Sequence, residues 1–330
     1  MKNILVTGGA GFIGFNFLKN ILKKNYKIVN IDNLSYVSNK NVKKIKKKNY
    51  FFYKVNINDK KSVSKIFLKH KIDTVINFAA ESHVDNSIRE PNKFVRTNIL
   101  GTHNLLRCSY NYWLDKPFSI KKNFLKKCLF LQVSTDEVYG STRKGKFTEN
   151  STLNPNSPYS ASKAAADHLV NSYNRTFGLP TIITRCSNNF GPNQHLEKFI
   201  PTIIESLVKK EEIPVYGKGL NVREWIYVDD HCEGILKVIK KGKVGETYNI
   251  GSGLEINNLK LVKLIIKLFS KKRKNFNYFN LIKFVKDRPG HDFRYSLNSK
   301  KIKKIGWQTK NKFNKSLIKT INFYEKYLSK

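Results

Sequence analysis

The chain opens with a short apolar run, Lys2 to Thr7, then a glycine-rich turn, then the helical pattern FIGFNFLKNILKK. A second apolar run, YKIVNID, ends on Asp32. Further short apolar runs follow at Tyr50–Val55, around Val75 in TVINFAA, at Cys128–Ser134 and at Pro180–Arg185. Helical stretches separate them over Lys60–His70, Phe94–Tyr112 and Ala161–Phe177. Short apolar strands alternating with amphipathic helices predict a parallel, doubly wound α/β sheet. After about residue 186 the alternation loosens into loops rich in Asn, Pro and Gly, and two basic amphipathic stretches close the chain. The expected division is a main α/β domain over residues 1–187, joined by part of 220–252. Residues 188–330 form mostly a smaller C-terminal lobe. No internal repeat or low-complexity linker interrupts this plan.

Composition narrows the classes. A chain of 330 residues can bury a sizeable core. With 40% hydrophobic and 12% aromatic residues it is not of the disordered class. No apolar run approaches the roughly 20 residues needed to span a bilayer. Glycines break the N-terminal run where a signal peptide needs an unbroken apolar region. The four cysteines, Cys108, Cys128, Cys186 and Cys232, are far apart and show no metal-ligand spacing. A reduced, cytoplasmic setting without a bound metal is expected.

The net charge of +38 raises nucleic-acid binding first. Its make-up points elsewhere. Lysine supplies 52 of the basic residues and arginine only 10, although arginine recognises phosphate and base edges better. The lysines are spread along the chain, with short runs at Lys43–Lys48, Lys237–Lys243 and Lys271–Lys274. A lysine-coated surface is expected, with no specific nucleic-acid partner.

Gly8, Gly11 and Gly14 stand between the first strand and the first helix. Glycines there permit a tight turn and close approach of a pyrophosphate, and the helix start offers free amides to it. Asp32 ends the second strand 18 residues after Gly14, close to the roughly 20 expected of a carboxylate that binds ribose hydroxyls. Such a carboxylate repels a 2′-phosphate, so NAD is expected over NADP. The last predicted strand before residue 135 runs into Thr135-Asp136-Glu137. Two acids at the C-terminal end of a central parallel strand lie where such sheets bind ligands. They can serve as acid and base if their surroundings separate their pKa values.

The G-x-x-G-x-x-G spacing resembles the extended short-chain dehydrogenase/reductase superfamily, a Rossmann-type fold. That resemblance implies a Tyr-x-x-x-Lys pair, present here as Tyr159 and Lys163, four apart on one helix face. A longer series of motifs resembles the dTDP-glucose 4,6-dehydratase family. They are VTGGAGFIG, NIDNLSY, AAESHVDNSI, TNILGTHNLL, STDEVYG, YSASKAAADHLV, RCSNNFGPNQHLEKFIP, PVYGKGLNVREWIYVDDH and DRPGHD, in the family's order along nearly the whole chain. Epimerases of the superfamily usually carry small residues where this chain has Thr135-Asp136-Glu137.

The resemblance implies removal of water from dTDP-glucose by C4 oxidation, C5/C6 elimination and C6 reduction, with NAD regenerated each turnover. It assigns Tyr159 to the C4 hydroxyl proton, with Thr135 holding that hydroxyl. Lys163 would bind the nicotinamide ribose and depress the Tyr159 pKa. Glu137 would take the C5 proton, and a protonated Asp136 would donate to the leaving C6 hydroxyl. The implied cofactor set is Gly8, Gly11, Phe12, Ile13, Gly14, Asp32, Asn33, Leu34, Asn56, Ile57, Phe78, Ala79, Ala80, Glu81, Ser82, Thr97, Tyr159, Lys163 and Asn189. The implied sugar-nucleotide set is Ser82, Thr135, Asn188, Glu197, Lys198, Pro214, Tyr216, Arg223, Asn258, Arg288, His291 and Tyr295. Arg223 is the candidate diphosphate ligand, or else a surface partner of Glu224.

The chain departs from the family in places. Asn56 stands where Asp is common, Asn193–Leu196 lacks the usual aromatic-Pro pair, and Lys218 and Phe293 replace an acidic and a basic residue. These changes surround the nucleotide pocket and bear on base preference, dTDP against UDP. The alternatives are another NAD-dependent nucleotide-sugar dehydratase or epimerase acting on a UDP-sugar and, more remotely, a basic nucleic-acid-associated Rossmann protein. The resemblance also implies a homodimer in which helices Phe94–Tyr112 and Ala161–Phe177 pair across a two-fold axis.

Overall fold

The structure is a computed structural model that describes residues 3–125, 127–271, 273 and 275–329. Lys2 of the expected first strand, and Lys272 and Lys274 of the last lysine run, lie outside the described residues. Fourteen strands form among the described residues. In chain order they are β1 Asn3–Thr7, β2 Lys27–Asp32, β3 Tyr50–Lys54, β4 Thr74–Asn77, β5 Leu114–Lys116, β6 Ser119–Ile120 and β7 Leu129–Thr135. Then come β8 Thr181–Cys186, β9 Asn188–Phe190, β10 Ile213–Tyr216, β11 Val222–Tyr227, β12 Thr247–Ile250, β13 Glu255–Asn257 and β14 Ile282–Val285.

Seven of these build one all-parallel sheet, in the order β12-β8-β7-β4-β1-β2-β3. The fold is a doubly wound, Rossmann-type sheet. Residues 247–250 return to extend it at the β8 edge. Its central strands are buried on both faces, as their unbroken apolar runs require. Helices Phe12–Ile21 and Val228–Lys241 cover one face through Phe15, Leu18, Ile235 and Val238. Helices Lys60–His70, Thr102–Trp113 and Pro158–Phe177 cover the other through Phe67, Leu106, Trp113 and Val170. Each fully buried aliphatic side chain contributes roughly 1.5–3 kcal/mol.

The chain after β8 forms a third core around helices Phe199–Lys209, Asn258–Ser270 and Phe313–Leu328. Two small sheets serve it, β10-β14 and β13-β11-β9. All four cysteines are buried and free. Among the described residues no helix is long and apolar enough to cross a membrane, and no cluster of His, Cys, Asp or Glu could hold a metal ion.

Two helices differ from expectation. The stretch expected as one helix from Phe94 to Tyr112 contains a wider π-helical segment, Val95–Gly101, before the α-helix Thr102–Trp113. The helix expected to begin at Ala161 begins at Pro158. Ser157 and Ser160 cap each other's backbone there, and Pro158 needs no amide partner at the first helical position.

Candidate active site

The order of the sheet puts its topological switch between β1 and β4, and ligands of such sheets bind outside the carboxyl ends there. A buried polar chain aligns those ends. Thr7 Oγ1 donates to Asn77 Oδ1 at 2.5 Å, and Asn77 Nδ2 donates to Gln132 Oε1 at 2.8 Å. Strands β1, β4 and β7 therefore finish in register. The segments that follow them, 8–14, 78–82 and 135–137, converge.

The glycine turn is packed too closely for any side chain. Gly8 has φ +67°, and a Cβ on it would lie 2.6 Å from the Ala79 amide nitrogen. One on Gly14 would lie 2.3 Å from the Gly8 carbonyl oxygen. The helix that starts at Phe12 has no acidic residue in its first turn and leaves its leading amides to face the cavity. Asp32 ties the turn to its own loop. Its carboxylate accepts from the amides of Ala10 at 2.9 Å and Leu34 at 2.8 Å, and from Ser38 Oγ at 3.2 Å. Burial pushes its pKa up, and these bonds pull it back.

Two adjoining cavities run from this turn. One, of about 80 Å³, is walled by Gly8, Gly11, Asp32 and Asn33, by Asn56 and Ile57, and by Phe78–Glu81 and Thr97. The other, of about 260 Å³, has Phe12, Ile13 and Gly14 at one end and Thr135, Asp136, Glu137, Tyr159, Lys163 and Asn189 at the other. A glycine cradle, free helix amides and a strand-end carboxylate suit a dinucleotide. Of the expected cofactor residues, Leu34 alone lies on neither wall; its backbone amide instead holds Asp32.

At the far end Thr135 closes β7, and Asp136 and Glu137 lie in the short helical turn after it. The Thr135 hydroxyl donates to Asp136 Oδ1 at 3.2 Å and accepts from the Glu137 amide at 3.3 Å. The two acids meet different surroundings. Asp136 is buried with Oδ2 unpartnered. Burial, then the carboxylates of Glu137 and Glu224, hold its pKa well above the usual carboxylate range. Burial raises Glu137 too, but Arg288, Arg223 and Lys198 pull it back.

Tyr159 and Lys163 both sit in the first turns of helix Pro158–Phe177 and face this cavity. Their electrostatics differ from expectation. Lys163 Nζ donates to the Val133 carbonyl at 2.7 Å. Burial and then the Glu137 carboxylate hold the Tyr159 phenol well above its ordinary pKa, while the Thr135 hydroxyl works in the other direction. The chain's own residues thus disfavour the Tyr159 phenolate, Thr135 excepted. Spacing on a helix face does not by itself direct an ammonium at a phenol.

A third cavity, of about 280 Å³, continues outward past Ser82, Glu137, Asn188 and Asn189. Every expected sugar-nucleotide residue except Thr135 lines it: Glu197, Lys198, Pro214, Tyr216, Arg223, Asn258, Arg288, His291 and Tyr295 join Ser82 and Asn188. Lys198 Nζ donates to the Ser82 carbonyl at 2.8 Å. Arg223 lies over the Tyr295 ring, 4.5 Å from its centroid, and donates to the Asp292 carbonyl at 2.9 Å. It does not pair with Glu224, whose carboxylate accepts from the amides of Gly253 and Leu297. Asn188 and Arg288 on this wall each carry a buried atom without a partner, Oδ1 and Nε.

Sequence reasoning missed Asn98. Its side chain accepts from the Glu81 amide at 2.9 Å and donates to the Glu81 carbonyl at 3.0 Å and to Ser162 Oγ at 2.8 Å. It thereby fixes the loop after β4 against the helix of Tyr159. His231 was missed as well: its Nδ1 lies 2.9 Å from Asn189 Oδ1. Asp85, 3.6 Å from Arg288, is a third. All three lie in motifs already singled out, Asn98 in TNILGTHNLL, Asp85 in AAESHVDNSI and His231 at the end of PVYGKGLNVREWIYVDDH, and that was the usable signal.

Residues 5–320 match the profile of the family described as GDP-mannose 4,6 dehydratase. The dTDP-glucose 4,6-dehydratase of Haemophilus influenzae is 45% identical over 98% of this chain and 98% of its own. That of Xanthomonas campestris pv. campestris (strain B100) is 44% identical over 98% of this chain and 93% of its own. Among solved structures, the dTDP-glucose 4,6-dehydratase of Streptomyces venezuelae with NAD and TYD bound superimposes with a TM-score of 0.90. It is 38% identical, with 100% of this chain and 98% of that one covered. The Thermotoga maritima UDP-glucose 4-epimerase with UDP-glucose reaches 0.86 at 30% identity over 99% of both chains, so the fold alone does not separate the two activities. Identity of this extent over nearly full length, on a fold that ends its central strand in Thr135-Asp136-Glu137, makes the chain a member of the dTDP-glucose 4,6-dehydratase family.

Proposed function

We propose that the protein catalyses the NAD-dependent dehydration of dTDP-glucose to its 4-keto-6-deoxy product. The observation that carries this reading is the adjacent pair Asp136 and Glu137 in one cavity with Tyr159, both raised by burial, with Arg288, Arg223 and Lys198 opposing the rise at Glu137. An epimerase exchanges no C5 proton and needs no such pair. A dehydratase needs both an acid and a base at C5 and C6.

NAD, when bound, supplies the hydride acceptor and donor. The residues suited to hold it are the glycine turn, Asp32 and Asn33, the loop Phe78–Ser82, Lys163 and Asn189. Thr135 orients the C4 hydroxyl, and Tyr159 takes its proton as the phenolate, a form that the Thr135 hydroxyl favours against burial and Glu137. The ketone so formed acidifies C5, because loss of that proton then gives an enolate. Glu137 takes the C5 proton; Arg288, Arg223 and Lys198 favour its ionised form. Asp136, kept protonated by burial and by neighbouring carboxylates, gives its proton to the C6 hydroxyl as water leaves. The outer cavity, with Arg223, Arg288 and Lys198, suits a diphosphate.

We assign the dinucleotide mostly to residues 1–187 with the returning strand β12, and the sugar nucleotide mostly to 188–330. A homodimer through helices Phe94–Tyr112 and Ala161–Phe177 is supported by Val95 and Leu100, apolar residues left exposed there. Four buried free thiols suit a reducing cytoplasm.

Glu137→Gln tests the role assignment. Single-turnover mixing with dTDP-glucose should still reduce the bound cofactor, while C5 exchange with solvent deuterium falls by two orders of magnitude or more. A variant that exchanged C5 at the parent rate would remove Glu137 as the base.

A further inference from the structure

A cavity of about 680 Å³ shares no lining residue with the three described above. Its volume lies within the roughly 300–1,000 Å³ of small-molecule sites. Five lysines from three separate segments face it: Lys24, Lys237 and Lys240, and Lys303 and Lys310. Glu233 is the only acidic residue on its wall. No side-chain hydrogen bond or ion pair engages any of the five ammonium groups among the described residues.

The backbone segments that carry four of these lysines are fixed to each other, although Lys240, Lys303 and Lys310 are themselves exposed. Asp230 accepts from the backbone amides of Lys310 at 3.0 Å and Asn311 at 3.3 Å, and from Asn311 Nδ2 at 2.9 Å. Trp307 Nε1 donates to the Asp230 carbonyl at 3.1 Å. These bonds clamp the segment 303–311 onto helix Val228–Lys241, and Gly306 turns the chain there with φ +86°. Lysines on the two elements thereby border one space. The buried Trp307 and Leu236 form an apolar floor.

Five like charges around one cavity repel one another, and a single carboxylate does not offset them. An anion with several charges close together would, and lysine binds phosphoryl oxygens as a point charge. We propose that this cavity binds a polyphosphate chain, the group that inorganic triphosphate and nucleoside triphosphates share.

Calorimetric titration of the NAD-loaded protein, with dTDP present in excess to fill the outer cavity, tests this with inorganic tripolyphosphate and with ATP as probes. Both should bind at one site. Equal affinities assign the polyphosphate chain alone; tighter ATP adds the apolar floor. The triple variant K237E/K240E/K303E should bind at least tenfold more weakly, and the neutral K303Q/K310Q several-fold more weakly. Variant K43E/K44E/K47E reverses the same number of charges far along the sequence and should bind as the parent does. Equal weakening in both triple variants, or none in either, overturns the proposal, since binding would then follow overall charge or another site.

Discussion

Asp136 and Glu137 are neighbours in sequence and burial raises both, yet Glu137 and Glu224 outweigh Arg223 around Asp136 while Arg288, Arg223 and Lys198 outnumber Asp292 around Glu137. On the proposed roles, that difference would distinguish acid from base without a change of residue type, and it depends on groups far along the chain. Arg288→Gln removes the cation that most favours ionised Glu137. The Glu137 pKa should then rise, and the acidic limb of the kcat profile should move to higher pH. Loss of one charge-assisted contact costs roughly 1.5–3 kcal/mol, so kcat/KM should also fall about tenfold or more. A kcat profile measured at saturating substrate and unchanged in position would show that Arg288 does not tune the base. The acid pair was legible because two acids directly follow an apolar strand. The contacts of Asn98 were not: an Asn within a helical pattern reads as a solvated position, and only the folded chain brings it to Glu81 and Ser162. The spacing of the Tyr159–Lys163 pair was legible, and the structure brings both to one cavity, but the bond of the Lys163 ammonium to the Val133 carbonyl was not.

At the scale of elements, the alternation of strands and helices was readable because buried parallel strands are continuous apolar runs. The first turn was readable for a similar reason: its glycines stand where backbone meets backbone. Gly14→Ala puts a methyl group 2.3 Å from the Gly8 carbonyl oxygen, so the turn must shift. The purified variant should carry at least tenfold less NAD, measured as absorbance released on denaturation, and remain folded. Full NAD content would show that the turn does not cradle the cofactor. The break in the helix over 94–112 was not readable. Gly101 packs on Ile57, where a Cβ would fall 2.4 Å from Cδ1, and the segment before it widens into a π-helix. That contact joins residues 44 positions apart. The start of helix Pro158–Phe177 was written in Ser157-Pro158, a cap and a first-turn proline, and reading the apolar pattern alone passed over it.

For the whole molecule, the sheet gathers residues from 8 to 189 around one cleft, and the chain after β8 supplies the outer wall. The return of Thr247–Ile250 to the sheet edge was expected only in outline, since a four-residue strand carries little signal of its own. The charge of +38 was plain in the sequence, but its distribution was not. A few of its carriers, Lys198, Arg223 and Arg288, surround the base, and five lysines meet over Trp307. The central claim is that hydride leaves C4 and returns at C6 of the same sugar, with water lost between. dTDP-glucose deuterated at C4, turned over by the NAD-loaded protein and examined by NMR, tests it most directly. The expected result is a 4-keto-6-deoxy product with the deuterium at C6. A 4-epimer with deuterium still at C4, or no product at all, would contradict it.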